Sequence, residues 1–149
     1  MNLRIEDDFM NIRSATYRDA PAIKLLLEAL GFTTSTILLI SQLEKLFDQK
    51  NQEVFVYELD KDVMGFTAVH YLPQLGFEGE LAVITYLSVD ETVIDQRIDV
   101  SLERYVTEQA LKRKCDRVQI RQWRAPAQFY EEQGYKEISK IYIKNLSNK

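Results

Sequence analysis

Ala127-Gln128-Phe129-Tyr130-Glu131-Glu132-Gln133-Gly134-Tyr135, followed by Ile138-Ser139-Lys140-Ile141-Tyr142-Ile143-Lys144, is the stretch whose reading decides the fold of this 149-residue chain. Pro126 suits the first turn of a short helix over about 125–133, and Gly134 stops it. The apolar run that follows predicts a closing strand from Ile138 to Leu146. Upstream, Arg117 to Gln122 alternates as a strand with Val118 and Ile120 inward. Before it, Ile98, Leu102, Tyr105, Val106 and Ala110 fall on one helical face. Glu108 and Lys112 stand four apart on the outside of that helix, and Lys112, Arg113 and Lys114 complement the negative end of its dipole.

The N-terminal half is legible in the same way. Met10 to Ala15 reads as a first strand. Thr16 with Asp19 three residues on is a capping-box start, and Pro21 falls in the first turn. Ile23, Leu26, Leu27 and Leu30 follow at helical spacing until Gly31. A second helix is expected over Ser35 to Gln49, burying Leu39, Leu43, Leu46 and Phe47. Val54 to Leu59 and Val63 to Leu72 form a hairpin about the turn Asp60-Lys61-Asp62, and Leu81 to Val89 is a further strand. The order β-α-α-β-β-β-α-β-α-β predicts an α/β fold, a mixed, mostly antiparallel sheet flanked by helices on both faces. Residues 1–9 read as a short polar extension and residues 10–149 as one domain.

Composition narrows the function. A net charge of −4 and a pI near 5.1 argue against general nucleic-acid binding, which needs a basic footprint. Cys115 is the only cysteine, so no intrachain disulfide forms, and its place between helix and strand favours a buried, inert thiol. Met1 to Met10 carries Glu6, Asp7 and Asp8 and leads into no apolar leader. The longest apolar run, Ile37 to Ile40, is too short for a bilayer. The expected setting is the reducing cytoplasm. No Cys, His and carboxylate cluster has metal-ligand spacing.

Four local patterns in order resemble the GCN5-related N-acetyltransferases over about Asn11 to Leu146. Asn11-Ile12-Arg13-Ser14-Ala15-Thr16 with Asp19 is similar to the family's opening. Val63-Met64-Gly65-Phe66 is similar to its hairpin end, and Leu87-Ser88-Val89-Asp90 to the end of its central strand. Lys114 to Val118, then Phe129-Tyr130 with Gly134-Tyr135, is similar to its C-terminal motif. The resemblance implies transfer of an acetyl group from acetyl-CoA to an amine, here a small-molecule amine.

It also implies a site. Backbone groups at Leu87, Ser88 and Val89 would hold the pantetheine arm. Tyr130 would protonate the departing thiolate; its alternative is a core aromatic beside Phe129. The base, where the family uses a side chain, falls at Thr85 or Tyr86, neither competent at neutral pH, so a water chain or a neutral amine is needed. His70, the only histidine, is a candidate on the acceptor side or else a structural strand residue. The asparagine that often precedes the last helix falls near Trp123 or Arg124. The acceptor pocket is expected from the two N-terminal helices and loops such as 73–80.

One loop departs from the pattern. The family opens the helix after the central strand with a glycine-rich turn whose amides take the pyrophosphate. The matching stretch here is Ile94-Asp95-Gln96-Arg97-Ile98-Asp99, leading into Val100. Arg97 and Asp99 occupy the small positions. Asp95 and Asp99 are expected to face the helix amides themselves, and would repel a pyrophosphate by a few kcal/mol at about 4 Å. Arg97 is available to pair with phosphate. Two functions therefore compete: an acetyl-CoA-dependent acetyltransferase, favoured by Phe129-Tyr130 and the strand end, and a non-enzymatic binding or regulatory module, favoured by the 94–99 loop. A homodimer is expected, because Ile141-Tyr142-Ile143 is apolar on both faces of its strand and suits cover on both sides.

Overall fold

The computed structural model describes residues 9–121 and 125–147. The expected polar extension, Phe9 apart, the end of the strand at Gln122 and the positions Trp123 and Arg124 lie outside the described residues. The elements follow the expected order: β1 (Ile12–Ser14), α1 (Ala20–Ala29), α2 (Thr36–Phe47), β2 (Gln52–Leu59), β3 (Asp62–Leu72), β4 (Leu81–Val89), α3 (Ile98–Lys112), β5 (Arg117–Ile120) and α4 (Ala127–Glu132). Short 3-10 segments precede β1, α1 and α3, at Phe9–Asn11, Tyr17–Asp19 and Glu91–Gln96. The sheet runs β1-β2-β3-β4-β5, antiparallel except for the parallel β4–β5 pair.

Local chemistry sets these boundaries. The Thr16 hydroxyl accepts from the Arg18 amide at 3.3 Å, and the Asp19 carboxylate accepts from the Thr16 amide at 2.8 Å. Arg13 on β1 grips Asp19 with two bonds of 2.8 and 2.9 Å, so the cap also fastens the strand to the helix. Burial raises the Asp19 carboxyl, but the bonds from Arg13 and Thr16 outweigh it and hold the group below the ordinary aspartate range. The hairpin turns on Asp60 and Lys61, both left-handed at φ 52° and 73°, a pair that matches strand twist.

Helices α1 and α2 cover one face of the sheet, where Ile23, Leu26, Leu39 and Leu43 meet Val54, Val56, Phe66 and Ala68. Helix α3 covers the other with Ile98, Leu102, Val106 and Ala110 against Phe55, Val69, Tyr71 and Ile84. Gly65 permits the close approach of α3. A β-carbon there would sit 3.0 Å from Ile98 Cγ2 and 3.2 Å from Leu102 Cδ1.

The C-terminal strand does not form. Residues from Ile138 to Leu146 belong to no sheet, and Ile138, Ile141, Tyr142, Ile143 and Leu146 are 62–93 % exposed. Strand propensity reports fitness for a pleated, partnered surface, and in a single chain this segment pairs with no edge.

Candidate active site

The parallel β4–β5 pairing runs from Leu81↔Arg117 to Ile84↔Ile120. Beyond it the Arg121 amide still donates to the Ile84 carbonyl at 3.2 Å. Residues 87–89 then continue along β3 with no β5 partner among the described residues. A bulge marks the fork: Val69 faces Ile84 and Ala68 faces Tyr86, leaving Thr85 as the extra residue. The Thr85 hydroxyl donates to the Ala68 carbonyl at 3.4 Å, and Thr67 donates to the Tyr86 carbonyl at 2.9 Å. Because peptide groups alternate in direction along a strand, those between Leu87 and Val89 that do not pair with β3 point away from it.

The side chains of this half-strand are committed elsewhere. Tyr86 meets Phe32 edge to face at 5.5 Å and stacks on Phe66 at 6.3 Å. Ser88 donates to the Leu26 carbonyl at 2.9 Å, and Leu87 and Val89 pack into the α3-side core. What remains for a ligand is backbone. His70 pairs with Gln52 and Val83, beside the fork. Burial first, and the positive Arg121 second, push its pKa down, so the ring is neutral at neutral pH. By strand alternation it shares a sheet face with Phe66, Ala68 and their neighbour Tyr86.

The turn into α3 is built from charge. Asp90 accepts from the Thr92 amide at 2.9 Å and the Thr92 hydroxyl at 2.6 Å. Ile94, Asp95 and Gln96 are exposed, and Asp90 rather than Asp95 caps this turn. Arg97 stands at φ 58°, ψ 39°, the left-handed geometry that glycine adopts without strain. Its guanidinium is held by Glu132 of α4 at 3.0 Å. The Asp99 carboxylate takes the Val100 amide at 2.9 Å. Burial raises its pKa against that bond. The Ser101 amide is taken by the Arg97 carbonyl at 3.2 Å. Ile98 and Val100 are buried beneath the turn.

Helix α4 brings Tyr130 to this end of α3. Phe129 is buried, and Tyr130 lies half-buried across it, edge to face at 5.3 Å. After Gly134, at φ 90°, the Tyr135 amide donates back to the Tyr130 carbonyl at 2.9 Å. The Tyr135 hydroxyl donates to Glu103 of α3 at 2.6 Å, and Thr107 donates to the same carboxylate oxygen at 2.9 Å. Sequence reasoning missed Glu103. Its signal was present: a carboxylate beside the apolar stripe, with a hydroxyl four residues on.

The loop 73–80 lies at the other end of β4. Gln74 accepts from Arg117 at 2.8 Å, Glu80 accepts from Arg113 at 2.8 Å, and Arg117 covers Phe77 at 4.1 Å. Gly79 lets the loop press on Lys114 and Asp116, where a β-carbon would come within 2.6 and 2.8 Å. The loop is thus fastened away from the open half of β4.

A forked β4–β5 pair, a bulge at the fork and a helix turning beside it are the arrangement that a family comparison can decide. The model of the Acetyltransferase (GNAT) family matches residues 22–135. The chain belongs to this family. Among solved structures, it superposes on an aminoglycoside acetyltransferase from an uncultured soil metagenomic sample with a TM-score of 0.73 and 24% identity, covering 93% of this chain and 95% of that one. A glucosamine-6-phosphate N-acetyltransferase from Arabidopsis thaliana gives 0.77 and 16%, covering 91% and 97%. A ribosomal-protein-alanine N-acetyltransferase from Brucella melitensis biovar Abortus 2308 gives 0.74 and 17%, with 91% and 97% covered. At these identities the likeness is one of fold. No curated protein matches the chain.

The acetyl-CoA that the family implies fits in one part and not in another. The backbone of residues 87–89, with no β5 partner among the described residues, suits the amides of a pantetheine arm. The start of α3 does not suit a diphosphate: the Asp99 carboxylate already holds the Val100 amide, and the Arg97 guanidinium is paired with Glu132. Among the described residues no helix is long and apolar enough to cross a membrane.

Proposed function

We propose that this protein is an N-acyltransferase that moves an acetyl group directly from a pantetheine thioester, such as acetyl-CoA, to a small-molecule amine in the cytoplasm. The observation that carries the reading is the edge of residues 87–89 beyond the Thr85 bulge, which has no β5 partner among the described residues. Bound there, the donor supplies an activated acyl carbon. Backbone amides of residues 87–89 orient its arm and donate to the thioester carbonyl as negative charge grows on oxygen. The amine nitrogen bonds to the acyl carbon while the carbon–sulfur bond breaks, and its electron pair leaves on sulfur. Tyr130 gives its phenolic proton to that sulfur. His70, neutral and on one sheet face with Tyr86, takes the amine's proton through water. Thr85, spent on the Ala68 carbonyl, holds the bulge rather than a proton. The exposed apolar tail from Ile138 to Leu146 supports a homodimer that covers it.

A second reading, a binding or regulatory module without donor binding, is favoured by one feature: the Asp99 bond to the Val100 amide together with the Arg97–Glu132 pair. Calorimetric titration with acetyl-CoA, followed by thiol release from acetyl-CoA against a panel of small amines, separates the two. Binding with amine-dependent thiol release supports transfer. A folded protein that binds no donor leaves the module.

A further inference from the structure

We infer that the protein recognises its acyl donor through the pantetheine arm alone, and that the nucleotide diphosphate end of CoA contributes no affinity. The inference rests on the transfer reading above and names its donor class: acyl thioesters on a pantetheine arm, whether in free CoA or as the prosthetic arm of a carrier protein.

The argument is one of charge and of hydrogen bonds already made. A diphosphate would need amide donors and a cation at the opening of α3. The Val100 amide is held by the Asp99 carboxylate, and that of Ser101 by the Arg97 carbonyl. The cation, Arg97, is held by Glu132 at 3.0 Å. Asp90, Glu91, Asp95 and Asp99 crowd this turn against the single guanidinium of Arg97. A polyanion placed here meets the Asp99 carboxylate on the Val100 amide, competes with Glu132 for Arg97 and meets like charge. The pantetheine arm meets none of this. It is an uncharged chain of two amides, and it lies along an uncharged backbone edge whose alternate N–H and C=O groups can pair with it as a strand would. The Arg97–Glu132 bond also ties the turn to α4, the helix that carries Tyr130.

The test titrates the full-length protein separately with CoA, pantetheine and adenosine 3′,5′-bisphosphate. CoA and pantetheine are expected to bind within about fivefold of each other, since the extra contacts of CoA are met by like charge. The bisphosphate is expected not to bind. Raising the salt should tighten CoA and leave pantetheine unchanged, because screening relieves repulsion. Asp99→Asn, which keeps a capping oxygen and loses the charge, should tighten CoA by about tenfold and leave pantetheine unchanged. Asp99→Gly should do the same if Asp99→Asn fails to fold. A phosphopantetheinylated acyl carrier protein in the same titration identifies the source: preference for it or for CoA supports the inference either way. CoA binding more than about a hundredfold tighter than pantetheine in the unaltered protein, or binding of the bisphosphate alone, overturns the inference and leaves the transfer reading intact. Failure of both CoA and pantetheine to bind overturns the two together.

Discussion

Removing the Tyr135 hydroxyl tests how the C-terminal motif is fastened. Glu103 is only 4 % exposed, and one of its oxygens accepts from Tyr135 at 2.6 Å and from Thr107 at 2.9 Å. Burial and the neighbouring carboxylate push the Tyr135 phenol far up, so it remains a donor at any working pH. Tyr135→Phe deletes one hydrogen bond to a buried carboxylate, a loss of about 1.5–3 kcal/mol. In a chain of this length that is a fall in Tm of about 3–12 °C. Urea unfolding should show the same loss with an unchanged slope. Glu103→Gln keeps an accepting oxygen and should cost less than Glu103→Leu. Glu103→Leu combined with Tyr135→Phe should cost less than the sum of the two, because one interaction is removed once. The pH dependence has a fixed sign. Burial raises the Glu103 carboxyl above its ordinary value, so its neutral form is favoured in the fold. Its contribution is fully present below the ordinary glutamate pKa and is lost as pH rises through the raised one. The unaltered protein should therefore lose stability relative to Glu103→Gln as pH rises across that window. A Tyr135→Phe loss under about 0.5 kcal/mol, or a gap to Glu103→Gln that ignores pH, would refute this account.

Gly65→Ala forces Ile98 and Leu102 aside by a few tenths of an ångström and should cost about 1–3 kcal/mol in urea unfolding. Asp19→Asn should cost about 1.5–3 kcal/mol at neutral pH. That gap should close as pH falls through the depressed Asp19 pKa, since the contribution of the ionised group exists only above it. Tyr130→Phe should slow amine-dependent thiol release by about a hundredfold or more while the domain stays folded; equal losses of activity and stability would make Tyr130 a structural residue. Sedimentation should give the mass of two chains, and deleting residues 138–149 should give one; a monomer mass at every concentration would sink the dimer.

Much of the fold was legible because it is written in near neighbours. The Thr16 and Asp19 cap spans three residues, the left-handed turn at Asp60 and Lys61 two, and the apolar stripe of α3 repeats every three or four. The end of β4 and the Phe129-Tyr130 helix were legible for the same reason. The acidic opening of α3 was legible as chemistry, and Asp99 does hold the Val100 amide. Asp95 does not take part as expected, since Asp90 already caps the turn before it. The tail from Ile138 to Leu146 was misread as a strand, because alternation states what a strand needs on its faces and not whether an edge is present to pair with it.

The sequence by itself determined the order of elements, the apolar faces and the helix starts, since each depends on contacts within a turn or two of the chain. Tertiary structure alone decided the bulge at Thr85 and the fork beyond it, which need β3 and β5 in register with β4. It alone decided that Arg97 answers to Glu132, 35 residues away, and Glu103 to Tyr135, 32 residues away. A side chain's partner across such a distance is selected by packing among many chemically equivalent candidates, and no local period carries that choice.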